Sequence, residues 1–258
     1  MLALPADLLA HPGPLNDEQR ALVATDGDAW FVPPYVGPSG WGEFSPFPDY
    51  PPEVTTRWLA AALELACSEL PEPGRDMIQV NVTVPAIDPE PAVALVRESG
   101  ATTAKVKIGE PGQSEDEDIA RVAAVREALG PDGGLRVDVN ASWDLDTATR
   151  RIARLLEYDL QYVEQPVATL DDMKTLRSRV DVPLAADELV RQSPHPLRVI
   201  EEGAADVLIL KVQPMGGVSR VLDLANRSTI PVVISSALET SVGMYGGLLA
   251  ASLLSDLP

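Results

Sequence analysis

Cysteine is almost missing from this 258-residue chain: Cys67 is the only one. No intrachain disulfide can form, and a lone thiol fits a reducing, cytoplasmic setting. Histidine is scarce too. His11 lies near the start and His195 sits between two prolines, and both read as loop residues without catalytic context. Positive charge is in short supply, with 20 Lys and Arg against 39 Asp and Glu and a net charge of −19. Such a surface repels phosphate, which argues against nucleic acid and anionic membranes as partners. No apolar run has the ~18 to 20 residues of a bilayer span; the Gly-rich stretch 240–254 falls short. The N-terminus has no basic region and carries Asp7 within its short apolar run, so it does not read as a signal peptide. No strand is followed by GxGxxG, and the phosphate-loop pattern GxxxxGK is missing, so nucleotide-binding designs lose ground.

What is present is enough apolar material for a large core, 45% of residues, in a length that suits one large α/β domain or two smaller ones. Ten of the 24 prolines fall in the first 55 residues, which excludes regular helices or central strands there. Over 55–70 the pattern turns helical, with Trp58, Ala61, Ala62, Leu65 and Ala66 on one stripe. Cys67 lies in the same region and reads as core. Beyond Met77, short β-rich runs alternate with amphipathic segments. The runs are MIQVNVTV, TAKVKIG, LRVDVNA, LQYVEQP, VPLAADE, DVLILKV and PVVISSA. Between two of them Ser114 and Glu117 predict a capping box and Gly130 a helix stop. Ala148, Ile152, Leu155 and Leu156 form one helical stripe, and Val218, Val221, Leu222 and Ala225 another. Seven strand–helix units in succession imply parallel strands with crossover helices, and a (β/α) barrel more than an open sheet.

In such a barrel, chemistry sits at the C-terminal ends of the strands. The second run ends with Lys105 and Lys107, which share a face because strands alternate with period two. The third offers Asp138 and Asn140, the fourth Glu164, the fifth Asp187 and Glu188, the sixth Lys211, and the seventh Ser235, Ser236 and Glu239. Steps of 31, 26, 23 and 24 residues separate Lys107, Asp138, Glu164, Asp187 and Lys211, each about one βα unit. Three acids at one level repel unless compensated, and converging oxygen ligands suit Mg²⁺. The lysines would balance that acidic site from both sides. Lys105 would also lower the pKa of Lys107 by like-charge repulsion and make it a usable base. Plainer readings exist: a strand-end acid is commonly a helix cap or a solvated loop residue, which suits Glu188 and Glu239 equally well, and a paired-lysine strand is commonly an exposed edge. Periodic recurrence favours the site reading for Asp138, Glu164 and Asp187.

The pieces GWGEFSPFPDYPPE, TTAKVKIGE, RVDVNASW, YVEQPV, LAADE, LILKVQPMGG and SSALETSVG cover about residues 40–250. Together they resemble the enolase superfamily in its muconate-lactonising subgroup, and within it the o-succinylbenzoate synthases. The resemblance implies an α/β fold: a (β/α) barrel over 76–258 with an N-terminal α+β capping domain over 1–75. It implies Mg²⁺ held by Asp138, Glu164 and Asp187, with Lys107 as base, Lys211 opposite it and Lys105 in support. Ser235 and Ser236 would lie near a substrate carboxylate, and Asn140 would also contact substrate. The implied reaction is syn dehydration of 2-succinyl-6-hydroxy-2,4-cyclohexadiene-1-carboxylate to 2-succinylbenzoate in menaquinone biosynthesis. The metal would hold the carboxylate and stabilise an enediolate.

Departures from the family pattern occur at both ends. Residues 1–30 do not resemble the family's opening β-meander, and the chain stops before an eighth strand. A barrel lacking it would expose unpaired strand edges, so the chain alone is expected to be poorly soluble or self-associating, with little activity. Two alternatives stay open: an N-succinylamino-acid racemase or dipeptide epimerase, in which Lys107 and Lys211 act as two bases, and a truncated, inactive relative that binds or scaffolds. Oligomeric state has no signature.

Overall fold

A computed structural model describes residues 35–47 and 50–254. The expectation for residues 1–30 falls outside them. The described residues divide into two compact units, one of those up to 78 with 210–228 and those from 232 on, the other of 79–209 with 229–231.

In the first unit the proline-rich segment folds into a minimal antiparallel pair, β1 (Tyr35–Val36) and β2 (Trp41–Gly42). Helix α1 (Pro52–Cys67) follows. It begins three residues before the apolar stripe suggests, because Pro52 occupies its first turn, where proline's fixed φ is already helical and its missing N–H costs nothing. It ends at Cys67, where the Ser68 N–H closes on the Glu64 carbonyl. Trp58, Ala61, Ala62, Leu65 and Ala66 are all buried, as the stripe predicts, whereas Cys67 is only half-buried. Trp58 meets Phe47 and Tyr50 edge-on at centroid distances of 6.1 and 5.4 Å, a geometry that suits the ring quadrupoles. Gly42 lies so close to α1 that a Cβ there would stand 1.8 Å from the Ala62 carbonyl oxygen, so the approach requires glycine.

All seven expected strands form, and they pair in chain order: β3 (Val82–Val84), β4 (Thr103–Lys107), β5 (Gly134–Asp138), β6 (Tyr162–Glu164), β7 (Leu184–Ala186), β8 (Val207–Lys211) and β9 (Val232–Ser235). The pairing of β3 through β8 is parallel. Between them run α2 (Pro89–Ser99), α3 (Glu115–Leu129), α4 (Leu145–Leu155) and α5 (Leu170–Arg177). Parallel sheets are buried on both faces. One face carries Val106, Val137, Val163 and Leu184, all fully buried, each worth roughly 1.5–3 kcal/mol against exposure. The other face holds a lower layer, Lys105, Arg136 and Tyr162, in register with one another. Its upper layer is Lys107, Asp138, Glu164 and Ala185, again in register. Charged residues thus enter a sheet interior at alternate positions, which only mutual compensation can sustain.

Helix α3 has the expected capping box: Ser114 accepts from the Glu117 N–H while the Glu117 side chain accepts from the Ser114 N–H. Gly130 ends it with a left-handed φ of 73°. Ser114 closes the loop that leaves β4, so its cap also fixes where that loop ends. Ser114→Ala should lower stability by about 1 kcal/mol. Urea unfolding should show this as a reduced midpoint with an unchanged slope.

Candidate active site

Lys105 leaves the lower layer and stretches along the sheet until its ammonium reaches the upper one. Its Nζ lies 3.1 Å from Asp138 Oδ2 and 3.1 and 3.2 Å from the two Glu164 oxygens. Burial alone pushes this ammonium's pKa down, but Glu164 and then Asp138 outweigh it and hold the group above the ordinary lysine range. Lys107, at the end of β4, donates to Asp138 Oδ2 at 2.7 Å and to Asn140 Oδ1. One carboxylate oxygen therefore bridges both ammonium groups of the strand, and the repulsion expected between them is met by a shared anion. Asp138 is 1% exposed. Burial pushes its carboxyl up, but Lys105 and Lys107 bring it below the usual carboxylate range.

The chain turns sharply above Asp138. Asn140 and Ala141 both adopt left-handed φ, 48° and 60°, a conformation non-glycine residues seldom take outside turns. The Asn140 N–H bonds Asp138 Oδ1 at 3.1 Å, and the Ala141 N–H bonds the Gln165 carbonyl at 2.7 Å. This turn brings the Asn140 amide over Lys107. Its Nδ2 donates to Glu188 Oε1 at 3.1 Å, and Arg191 Nη2 donates to the same oxygen at 2.7 Å. Arg191 Nε contacts Asp187 at 3.2 Å. Asp187 itself is fixed through its backbone, its N–H donating to Gln165 Oε1 at 3.0 Å. Glu188 is thus neither a helix cap nor a solvated loop residue but part of the constellation.

Asp138 and Glu164 are register partners, and Asp187 lies two residues beyond Ala185, the partner of Glu164. Parity puts the three acids on one face of successive strands, and an all-oxygen set of this kind has the chemistry Mg²⁺ prefers. Their side chains, however, turn to Lys105, Lys107 and Arg191. Among the described residues no three His, Cys, Asp or Glu stand as a metal-binding group. The donors fit the metal in chemistry and register, while the expected convergence on one point is not the arrangement observed.

In the first unit Lys211 ends β8 and is buried, with Gln213 two residues on and fully buried. Ser235 ends β9, and Ser235 and Ser236 are half-buried. Glu239 is held by Gln213 Nε2 at 2.9 Å, and burial, helped by nearby Glu43, pushes its carboxyl up. Glu43 accepts from the N–H groups of Thr240 and Gly243 and from the Thr240 and Ser45 hydroxyls. It thereby supplies an anion at the start of α6 (Ser241–Leu253), where helix N–H groups lack partners. Sequence reasoning missed Glu43, Arg191 and the buried Asp118–Arg121 pair of α3. Arg191 had a signal, the i,i+4 spacing from Asp187; Asp118 and Arg121 had one in lying in phase with the apolar Val122 and Val125. Glu43 had none. His195 is an exposed loop residue, as expected.

The model of the family described as Enolase C-terminal domain-like matches residues 89–255, and that of Enolase N-terminal domain-like matches 35–66. A protein of Thermobifida fusca (strain YX) named o-succinylbenzoate synthase is 55% identical over 222 residues, 86% of this chain and 70% of its own. The crystal structure of a mandelate racemase/muconate lactonizing family protein from Azoarcus sp. EbN1 superposes with TM-score 0.63 at 30% identity, covering 78% of this chain and 56% of that one. A dipeptide epimerase from Enterococcus faecalis V583, solved with Mg and L-Leu-L-Tyr, gives TM-score 0.63 at 26% identity, over 80% of this chain and 60% of its own. Among the described residues no helix is long and apolar enough to cross a membrane.

The ion network contributes to the pH dependence of stability. Asp138, with a depressed pKa, stabilises above its unfolded value of ~3.9 and loses that contribution as pH falls through the folded value. Lys105, with a raised pKa, stabilises below its unfolded value of ~10.4 and loses that contribution only as pH rises through its still higher folded value. Asp138→Asn should therefore flatten the acid limb of a melting-temperature profile in metal-free buffer. Lys105→Met should cost about 3–5 kcal/mol at neutral pH by removing the buried ammonium that Asp138 and Glu164 share. Equal acid limbs for Asp138→Asn and the parent chain would contradict the network.

Proposed function

The chain belongs to the enolase superfamily, and on that premise we propose that it works as a magnesium-dependent o-succinylbenzoate synthase. The observation that carries the reading is the Lys107–Asp138–Asn140 triangle at the ends of β4 and β5, in a chain so similar to the synthase of Thermobifida fusca. The substrate would be the small carboxylate 2-succinyl-6-hydroxy-2,4-cyclohexadiene-1-carboxylate and the reaction its syn dehydration, in menaquinone biosynthesis. A cytoplasmic setting fits the single cysteine.

Asp138, Glu164 and Asp187 would hold Mg²⁺ on their shared face. Bound there, the metal would supply Lewis-acid polarisation of the substrate carboxylate. The chain's own residues do the proton work. A lysine amine carries two N–H bonds and one lone pair. With its N–H bonds donated to Asp138 Oδ2 and Asn140 Oδ1, the lone pair of Lys107 points in the one tetrahedral direction left, so both acceptors aim the base. Lys107 takes the proton α to the carboxylate; the C–O bond of the ring hydroxyl breaks, and that proton returns to the leaving oxygen. One water is released and the ring becomes aromatic. Lys105, committed to Asp138 and Glu164, keeps its proton and offsets acidic charge. Lys211 would act as a cation beside the ring, and Ser235 and Ser236 would bind a substrate carboxylate.

Two experiments test this. Purified protein assayed with Mg²⁺ should dehydrate the cyclohexadiene substrate faster than it racemises N-succinyl amino acids or epimerises dipeptides; the reverse preference would assign it to the epimerase side of the family. Lys107→Ala should lose at least ~10² to 10⁴-fold in turnover, together with exchange of the substrate α-proton into deuterated solvent. If exchange persists in that variant and vanishes in Lys105→Ala, the two lysines have exchanged roles.

A further inference from the structure

We infer that the buried pair Asp118–Arg121 on α3 is a positioning clamp for Lys107, an inference that rests on Lys107 being the base. The pair is almost wholly enclosed, with Asp118 3% and Arg121 1% exposed. Arg121 Nη2 meets Asp118 Oδ1 at 2.6 Å, one helical turn apart. A buried ion pair of this kind seldom gains stability over apolar residues of the same volume, so its other bonds carry the argument.

Those bonds go to the backbone around the base. Arg121 Nη2 donates to the Lys107 carbonyl at 3.2 Å. Asp118 Oδ2 accepts the Gly109 N–H at 2.9 Å. Two successive peptide groups, on either side of Ile108, are therefore held by one ion pair. Arg121 Nη1 reaches the Ile87 carbonyl at 2.9 Å in the loop after β3, and Nη2 reaches Gln113 Oε1 at 2.7 Å in the loop after β4. Gln113 Nε2 closes the circuit on the Ala86 carbonyl at 2.9 Å. Only a guanidinium can serve so many acceptors from one fixed fork.

The turn just past Lys107 leaves no slack. Gly109 has φ +77°, and a Cβ there would lie 2.6 Å from Ser142 Oγ and 2.7 Å from Trp143 Nε1. Trp143 is stacked under Arg151, whose Nη1 lies 3.5 Å from Asp118 Oδ2. The clamp thus sets the peptide planes from which the Lys107 side chain departs, while Asp138 and Asn140 receive its tip. A base misplaced by about 1 Å can lose ~10²-fold in rate without losing its substrate.

The test compares three variants of the full chain: Arg121→Lys, which keeps the charge opposite Asp118 but loses the fork; Asp118→Leu with Arg121→Met, which removes both buried charges at similar volume; and Gln113→Met, which removes one acceptor and leaves the pair intact. With Mg²⁺ and the cyclohexadiene substrate, the first two should lose at least about 10-fold in kcat with KM changed less than about 2-fold, and Gln113→Met should fall between them and the parent. A second readout needs no turnover. The chain has four lysines, Lys105, Lys107, Lys174 and Lys211, so ¹³Cε-lysine labelling gives a tractable spectrum, assigned by Lys107→Met. The Lys107 ε-methylene protons should be inequivalent in the parent and averaged in the first two variants. A parent-like kcat and an unchanged Lys107 signal in both would overturn the clamp. If the double variant fails to fold, Arg121→Lys decides. If the parent has no dehydratase activity while its Lys107 signal responds to the clamp, the functional reading fails and the clamp stands; an unresponsive signal there removes the clamp as well.

Discussion

A single carboxylate oxygen, Asp138 Oδ2, accepts from both ammonium groups of β4 at 3.1 and 2.7 Å, and the arrangement of the second unit's site depends on that sharing. Two cations on one buried strand face would otherwise repel, and a buried acid without partners would carry a heavy desolvation penalty. Each group is tolerable because the others are there. The sharing also divides the lysines by depth. Lys105 rises from the lower layer and is locked between Asp138 and Glu164; Lys107 starts in the upper layer and stays partly open to solvent, bound on two sides only. Identical side chains two residues apart are thereby given different work.

The rest of the scaffold fixes backbone so that this sharing is possible. The left-handed pair Asn140 and Ala141 folds the chain back over Lys107, and the bond from Ala141 to the Gln165 carbonyl holds the turn. Gln165, itself at a left-handed φ of 38° and fully buried, receives the N–H groups of Asp187 and Leu189 through its side chain. Strain at such positions persists only where surrounding structure over-determines it, and here hydrogen bonds from adjacent strand ends do so. The first unit solves a comparable problem with Glu43, whose carboxyl stays low despite burial because Thr240, Ser45 and Gly243 all donate to it.

Much of this was legible because the interior charges interrupt otherwise apolar strands. The period-two placement of Lys105 and Lys107, and the recurrence of Asp138, Glu164 and Asp187 once per βα unit, follow from strand geometry and appear in the structure as register partners and shared parity. The seven strands and the α3 capping box were legible for the same reason: local patterns report local backbone. What pattern cannot report is where a long side chain ends. Nothing in the spacing says that Lys105 climbs a layer, that Glu188 is tied to Lys107 through Asn140, or that Glu43 meets a helix start 200 residues away. The acids were expected to converge on one point with lysines flanking them, and their side chains turn to those flanking lysines and to Arg191, because unlike charges attract wherever both are within reach.

Pairing in chain order has a consequence for how this sheet assembles. Val82 aligns with Ala104, Thr103 with Gly134, Arg136 with Tyr162, Val163 with Leu184 and Ala185 with Val207. Each zipper closes a loop of about 20 to 30 residues, so the entropy of closure is nearly the same at every step and no step waits for a distant segment. The charged layer follows the same order across the sheet. Lys107 gains Asp138 when β5 docks, and Lys105 gains Glu164 only when β6 docks. Until then a lysine is left among apolar neighbours short of one anion, which penalises halting midway. The charges that satisfy one another in the finished fold thus also disfavour its half-built forms.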